Sequence, residues 1–459
     1  MSTGNTTTAS PIKLDINEVI DNAKFNKFHW SVVWLCALLL IFDGYDLFIY
    51  GVILPVLMTE WSLTPVQAGA LGSYALFGMM FGALVFGPMA DKIGRKKGVL
   101  ICFVLFTVAT FLNGFASNVT EFGIYRFIAG LGCGGLMPNA VALMNEYAPR
   151  RSRGTLVALM FSGYSLGGLI AAWTGIYMLP AYGWQSMFFV AAIPLLLVPI
   201  LMWKLPESVG FLVRVGKDAE ARRMLNLASP ETELTAQHVL TQSVQKGAAV
   251  PVVDLFREGR LVNTLMIWLA FFCCLLMVYA LGSWLPKLMN QAGYSLGSSL
   301  SFLIALNLGG MIGAIFGGWL GDRFGLPKVM SWFFLLSAVS ISLLGFKSPM
   351  LALYALILVA GATTIGTQIL LYANTAQYYP LSIRSTGLGW ASGIGRFGAI
   401  SGPFLGGALL AKQWPLQANF ITFAIPGVIA TLAILVFILN SRRQAQKVAR
   451  TQAVPAMAQ

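Results

Sequence analysis

Four ionisable residues stand inside stretches that are otherwise apolar, and their types define the chemistry open to this chain. Asp43 and Asp46 lie in the run Leu38-Leu-Leu-Ile-Phe42-Asp43-Gly44-Tyr45-Asp46-Leu-Phe-Ile-Tyr50-Gly51-Val-Ile-Leu-Pro55. On a helix the i, i+3 spacing places both carboxylates on one face. Arg126 and Arg396 are the cations of the set. A charge at the centre of a bilayer costs about 3 kcal/mol on the insertion scale, so such residues line cavities, carry ions or pair with one another. Carboxylates can take up and release protons. A guanidinium can grip both oxygens of a carboxylate with its planar fork.

Each of these residues also has a structural reading. Either aspartate could simply pair with an arginine to fasten two helices. Arg126 opens the glycine seam Arg126-Phe-Ile-Ala-Gly130-Leu-Gly132-Cys-Gly134-Gly135, where it could serve proton coupling or merely order the helix. Arg396 is the better candidate for contact with a carboxylate substrate.

The elements that carry these residues follow from composition. The 459 residues are 57% hydrophobic and only 10% charged, and the mean hydropathy is +0.75. A soluble chain would carry about a quarter of its positions charged. Apolar runs of roughly twenty residues recur along the length, as a helix needs to cross about 30 Å of hydrocarbon. Spans are expected near 30–57, 68–89, 98–117, 121–144, 155–178, 185–204, 261–285, 298–320, 328–346, 349–373, 385–411 and 418–440. The fold class is therefore an all-α polytopic membrane protein, since lipid requires every backbone polar group to be satisfied internally.

The formal charge of +13 is not a nucleic-acid footprint, because the cations sort by loop. Lys92, Arg95, Lys96, Lys97, Arg150, Arg151, Arg153, Arg323, Lys328 and Arg384 fall in even-numbered loops, whereas odd-numbered loops offer Lys287, Lys347 and Lys412. The positive-inside rule then places both termini and the even loops in the cytoplasm. The polar segment from Met1 to Phe28 reads as a cytoplasmic tail, not a signal peptide. Cys36, Cys102, Cys133, Cys273 and Cys274 lack metal-ligand spacing, so neither a metal site nor a disulfide is expected. No phosphate-cradling Gly-x-x-x-x-Gly-Lys-Ser/Thr motif occurs, so nothing points to ATP.

A polar stretch from about Pro206 to Arg260 divides the spans six and six. Features repeat across it at a constant offset of 231 residues (322 − 91). Asp91 and Gly94 match Asp322 and Gly325, Arg153 matches Arg384, and Pro55 matches Pro286. The expected organisation is a cytoplasmic tail (1–28), a six-helix bundle (29–205), a cytoplasmic central loop (206–260) with a short amphipathic helix near Glu220-Ala-Arg222-Arg223, a second six-helix bundle (261–440) and a second tail (441–459). Parallel repeats of this kind place a substrate site at their interface near the bilayer midplane. Cys274 and Met277 stand where Asp43 and Asp46 would fall in the second half, an asymmetry that speaks for specialised acids.

The loop Gly87-Pro-Met-Ala-Asp91-Lys-Ile-Gly94-Arg95-Lys96-Lys97, with its weaker copy Gly318-Trp-Leu-Gly-Asp322-Arg323-Phe-Gly325, resembles the cytoplasmic signature of the major facilitator superfamily. That resemblance implies alternating access and a cytoplasmic gate built from Gly87, Asp91, Gly94, Arg95, Glu146, Arg153, Asp322, Arg323 and Arg384. The expected pairs are Asp91 with Arg384 and Asp322 with Arg153. Asp43-Gly-Tyr-Asp46 is similar to the span-one motif of the aromatic acid:proton symporter family. Tyr147-Ala-Pro149, Pro206-Glu207-Ser208 and Gly393-Ile-Gly395-Arg396-Phe397-Gly398 support that likeness nearly end to end. The resemblance implies that Asp43 and Asp46 are needed for transport, with Arg126, Glu146, Arg384 and Arg396 also important. It also implies a bacterial inner-membrane protein, active as a monomer, with the proton as coupling ion and no other cofactor.

The run around Asp43 is most like the family's benzoate carriers; hydroxybenzoate, vanillate and muconate remain alternatives. The weaker copy reads Leu326-Pro327-Lys328 without a histidine, which departs from some relatives. Tyr45, Tyr164, Tyr279, Asn307, Tyr372, Asn374 and Trp390 are the candidate pocket lining, since rings can stack on a benzene ring and amides can orient its substituents. An efflux antiporter would show a glycine-proline signature in span five, which here reads Ser162-Gly-Tyr-Ser-Leu-Gly-Gly168 without proline. A non-transporting sensor would add a soluble output domain, and an enzyme would show a nucleophile–base or metal constellation.

Overall fold

The computed structural model describes residues 12–232, 238–241, 252–380 and 383–453. The rest of the expected tails and central loop lies outside the described residues. After strand β1 (Ile12–Asp15) and helix α1 (Ile16–Asn22), the first half comprises α2 (Lys27–Glu60), α3 (Pro65–Ile93), α4 (Arg95–Asn113), α5 (Val119–Tyr147), α6 (Arg153–Tyr182), α7 (Gln185–Val190) and α8 (Val198–Lys204). The connector holds α9 (Val209–Arg214), α10 (Asp218–Ala228) and strand β2 (His238–Thr241). The second half comprises α11 (Leu261–Gln291), α12 (Leu296–Phe324), α13 (Leu326–Leu343), α14 (Met350–Tyr378), α15 (Arg384–Ala411) and α16 (Leu416–Ala453). Counting α7 and α8 as one span, 12 helical segments among the described residues are long and apolar enough to cross a membrane.

Helix ends follow local chemistry. Asn26 caps α2 by accepting from the backbone N–H groups of Phe28 and His29, while His29 reaches back to the Asn26 N–H. Thr64 and Gln67 form the same reciprocal box at α3, with Pro65 in the first turn. The duplication reaches these ends: α3 starts at Pro65 and α12 at Leu296, α5 at Val119 and α14 at Met350, α6 at Arg153 and α15 at Arg384. Each pair keeps the 231-residue offset. Gly94 and Gly325 both break their helices at positive φ, +102° and +91°. At Gly94 the positive φ disfavours any side chain, and a Cβ would also sit 2.4 Å from the Glu207 carboxylate, which would have to move.

Each half packs its helices in the same pairs. In the first, α2 lies on α6 and α3 on α5; in the second, α11 lies on α15 and α12 on α14. The halves meet through α3 with α15, α6 with α12, and α2 with α11. At the end away from the termini this seam is closed. A Cβ on Gly51 would lie 2.0 Å from the Gly282 carbonyl oxygen, one on Gly69 would lie 2.7 Å from that of Pro403, and Ser73 Oγ donates to the Ile400 carbonyl at 2.8 Å. Toward the end that bears the termini, Gly154, Gly389 and Gly393 have nothing within 4 Å of such a Cβ. The halves part there.

One part of the architecture differs from the expected solvated tail and connector. Strand β1 pairs in parallel with β2, Ile12 opposite His238 through Asp15 opposite Thr241. Asp21 accepts from Arg153 Nη2 at 2.5 Å, Lys24 N–H donates to Glu231 at 2.8 Å, and the Asn26 amide donates to the carbonyls of Leu227 and Ala228, both at 3.1 Å. The tail is thus strapped to the connector and to the first half. The amphipathic helix expected near Glu220 is α10, whose Ala221, Leu225 and Ala228 are buried.

Candidate functional site

Where the halves part, a cavity of about 310 Å³ runs inward from the first turn of α6 to the middle of the bundle. Its walls come from α5 and α6 on one side and α11, α12, α14 and α15 on the other. Much of the surface is apolar: Met137, Val157, Phe161, Met311, Ile365 and Ile369. Arg396 projects into this space from α15, twelve residues from the helix start, or about 18 Å along the axis. Its polar neighbours across the cavity are sulfurs, Met79 Sδ at 3.9 Å and Met137 Sδ at 4.0 Å. No carboxylate pairs with it among the described residues.

Tyr164, Tyr279 and Tyr372 also line the cavity, all within electrostatic reach of the Arg396 guanidinium. The Tyr164 and Tyr279 hydroxyls are 3.3 Å apart. Arg396 and three phenols on a largely apolar wall, with Arg153 at the mouth, have the chemistry to bind an anion attached to a flat ring. A guanidinium fork suits a carboxylate, and rings and aliphatic groups suit an apolar body.

The other expected lining residues lie elsewhere. Tyr45 points into the first half and donates to the Met187 carbonyl at 3.0 Å. Asn307 is buried and spends its amide N–H on the Leu303 carbonyl, one turn back. Asn374 is buried and is not part of the wall. Trp390 stacks on Trp268 at 5.8 Å between ring centroids, with 44% of its surface exposed. These positions follow from helix rotation, which an almost uniformly apolar span leaves undetermined.

The two aspartates share a helix face but not an environment. Asp46 Oδ1 accepts from Thr110 Oγ1 at 2.6 Å and from Arg126 Nη1 at 3.1 Å, and Arg126 also donates to the Asp46 carbonyl. Asp46 and Arg126 are almost fully buried, so this is an internal ion pair of the first half. Asp43 is equally buried, yet neither carboxylate oxygen has a hydrogen-bond partner among the described residues. It stands beside Cys133, within electrostatic reach of Arg396. In the second half the equivalent Cys274 contacts the Thr364 carbonyl at 3.6 Å, and Thr364 is the repeat partner of Cys133. The chain therefore uses one site of the duplicated pair for packing and the other for an acid.

The gate residues form a different set of contacts from the one expected. Arg95 bridges Asp91 at 2.7 Å, Asn139 at 2.9 Å and Glu146 at 3.5 Å, all within the first half. The backbone N–H of Lys96 donates to Glu207 at 3.1 Å, and Arg214 of α9 donates to the Asp91 carbonyl. Arg153 holds Asp21 and the Ala148 carbonyl, whereas Arg384 reaches only the Tyr379 carbonyl, at 3.5 Å. Asp322 makes no ion pair among the described residues, and Arg323 lies over the rings of Trp319 and Phe324. Gly87 stands in open space. The inter-half pairs Asp91–Arg384 and Asp322–Arg153 are thus unmade, because the halves are apart at this end. Sequence reasoning also missed Gln368 and Asn145 on the cavity wall, although a polar amide in apolar span ten was a readable signal.

Comparison with known proteins gives these features a setting. The sequence profile of the major facilitator superfamily matches residues 36–316 and 298–458. A benzoate transport protein of Acinetobacter baylyi is 49% identical over 441 residues, 95% of this chain and 94% of that protein. The 4-hydroxybenzoate transporter PcaK of the same organism is 36% identical, covering 92% and 94%, and a gentisate transporter of Corynebacterium glutamicum is 37% identical, covering 87% and 85%. Among solved structures, the Escherichia coli xylose transporter XylE in a partially occluded inward open conformation superposes with a TM-score of 0.70 at 19% identity, covering 89% of this chain and 97% of that one. A bacterial homolog of the human lysosomal transporter Spinster gives 0.67 at 15% identity, covering 92% and 99%.

Proposed function

The chain belongs to the major facilitator superfamily, and within it we propose that this protein imports benzoate across the bacterial inner membrane together with protons. It is a multi-pass transporter and not an enzyme. The aromatic-acid carriers among its relatives support the substrate class, and the benzoate transport protein supports the choice of benzoate. The observation that carries this reading is Arg396: a cation without an ion-pair partner among the described residues, in a cavity between the halves and ringed by Tyr164, Tyr279 and Tyr372.

In the proposed cycle the termini and the open mouth face the cytoplasm, as the loop cations favour. The substrate carboxylate meets Arg396 while the ring lies against Phe161, Met311 and Ile365. Asp43 takes the proton, because a buried carboxylate without a partner costs free energy when charged and a proton removes that cost. Asp46 and Arg126 neutralise one another and hold α2 against α5. Substrate and proton are loaded while the far seam is open; the halves then rock about the site, closing that seam and opening the mouth, where both leave, with one copy of the chain sufficient.

The test is uptake of radiolabelled benzoate into proteoliposomes under an imposed inward proton gradient. Accumulation that a protonophore abolishes is the expected result. Uptake that ignores the gradient would remove proton coupling, and absence of uptake by folded, inserted protein would remove benzoate as substrate.

A further inference from the structure

We propose that Gln368 reads the edge of the substrate ring opposite its carboxyl group and so sets the preference between hydroxylated and unsubstituted aromatic acids. This rests on the reading of the cavity as an aromatic-acid site. On the second-half wall, the residues other than Arg396, Tyr279 and Tyr372 are Gly310, Met311, Ala314, Ile365, Ile369, Ala373 and Ala376, apart from this one amide. Gln368 makes no hydrogen bond with any described residue, so its donor and acceptor atoms are left for whatever fills the cavity. A primary amide both donates and accepts. A carboxylate only accepts and is already served by Arg396, whereas a ring hydroxyl needs a partner of either kind.

The spacing agrees. Gln368 and Tyr372 are four residues apart on α14, hence on one face, one turn or about 5.4 Å apart along the axis. That is close to the reach of a single ring from its carboxyl carbon to a substituent on the opposite carbon. With the carboxylate held at Arg396 beside Tyr372, a hydroxyl at the far ring position comes level with Gln368. An unsubstituted ring leaves the half-buried amide to water, so benzoate is still accepted. A site that pairs a substrate hydroxyl favours the acid that carries it, by the worth of the added hydrogen bond.

Equilibrium binding to the purified full-length protein tests this with three probes: benzoate, 2-hydroxybenzoate and 4-hydroxybenzoate. The variants are Gln368→Leu and Gln368→Met, the second keeping the length and flexibility of the side chain. The expected result is a loss of about fivefold to tenfold in affinity for 4-hydroxybenzoate in both variants. Benzoate and 2-hydroxybenzoate should shift by less than about twofold, or bind tighter, so they report fold integrity in the same preparation. The assignment is overturned if all three acids weaken together, or if the ratio of 4-hydroxybenzoate to benzoate affinity stays at the wild-type value. Wild-type protein that binds none of the three would overturn the aromatic-acid reading itself, and this inference with it.

Discussion

The phenol oxygens of Tyr164 and Tyr279 lie 3.3 Å apart, and this contact ties the first half of the molecule to the second at the cavity wall. Tyr164 comes from α6 and Tyr279 from α11, helices that must move relative to one another when the halves rock. Arg396 is within electrostatic reach of both rings. In the proposed cycle the two hydroxyls can turn from one another toward the carboxylate that Arg396 holds.

Removing either hydroxyl should have the same consequence as removing both. Tyr164→Phe and Tyr279→Phe are each expected to weaken benzoate binding by about fivefold, the worth of one net hydrogen bond of about 1 kcal/mol. The double variant should lose little more than either single one, because the pair acts as a unit. Isothermal titration of the three variants decides it. Fully additive losses would mean that the hydroxyls contact substrate independently.

Arg396 should not tolerate replacement by lysine. Lysine keeps the charge but loses the planar fork, and its compact, strongly hydrated ammonium cannot span two oxygens. We expect Arg396→Lys to weaken benzoate binding by at least about tenfold and Arg396→Gln by about a hundredfold, in line with a charge-assisted bidentate contact. Thermal midpoints should hardly move, since among the described residues the guanidinium makes no ion pair and its hydrogen-bond contacts are two methionine sulfurs. A large drop in stability for Arg396→Gln would instead make this residue a structural one.

Asp43 and Asp46 should separate cleanly in experiment. Asp46 shares its oxygen with Thr110 and Arg126, so Asp46→Leu leaves a buried cation without its partner and should cost about 3–5 kcal/mol of stability. Asp43 has no hydrogen-bonded partner among the described residues to strand. Asp43→Asn is therefore expected to fold with a near-wild-type midpoint, to exchange internal for external benzoate, and to fail in gradient-driven accumulation. Counterflow and uptake measured on the same vesicles separate these functions. Full accumulation by Asp43→Asn would move proton coupling to another group.

The same contrasts show what the sequence could and could not reveal. Span positions and the 231-residue duplication were readable because each leaves a direct mark: runs of apolar residues, and Asp91-x-x-Gly94 repeated as Asp322-x-x-Gly325. Arg396 was readable because an arginine in hydrocarbon demands a reason. The rotation of each helix was not, so the sequence places Tyr45 and Trp390 on a wall that they do not form. Gate pairing was unreadable for another reason. Asp322 and Arg153 belong to different halves, and their distance depends on which end is open. Strand β1 escaped notice because four residues near Ile12 pair with four near His238, a partnership of two short segments far apart in sequence.

The closed seam at the far end offers the last test, since it can be forced. Gly51 of α2 lies against Gly282 of α11 so closely that a Cβ would meet the Gly282 carbonyl oxygen at 2.0 Å. No rotamer relieves a clash with backbone, so Gly51→Ala must push the two helices apart where they now touch. Separation at this end is the movement that the opposite state of the transporter requires. The expected result is a shift of the resting protein toward that state and a loss of transport of about tenfold or more, because the far seam can no longer seal. A cysteine placed at Gly389, in open space near the mouth, reads the shift: its labelling by a bulky thiol reagent should slow in Gly51→Ala relative to the parent. Unchanged labelling together with unchanged transport would show that α2 and α11 can part at Gly51 without coupling to the mouth, and the rigid rocking of the two halves would have to be given up.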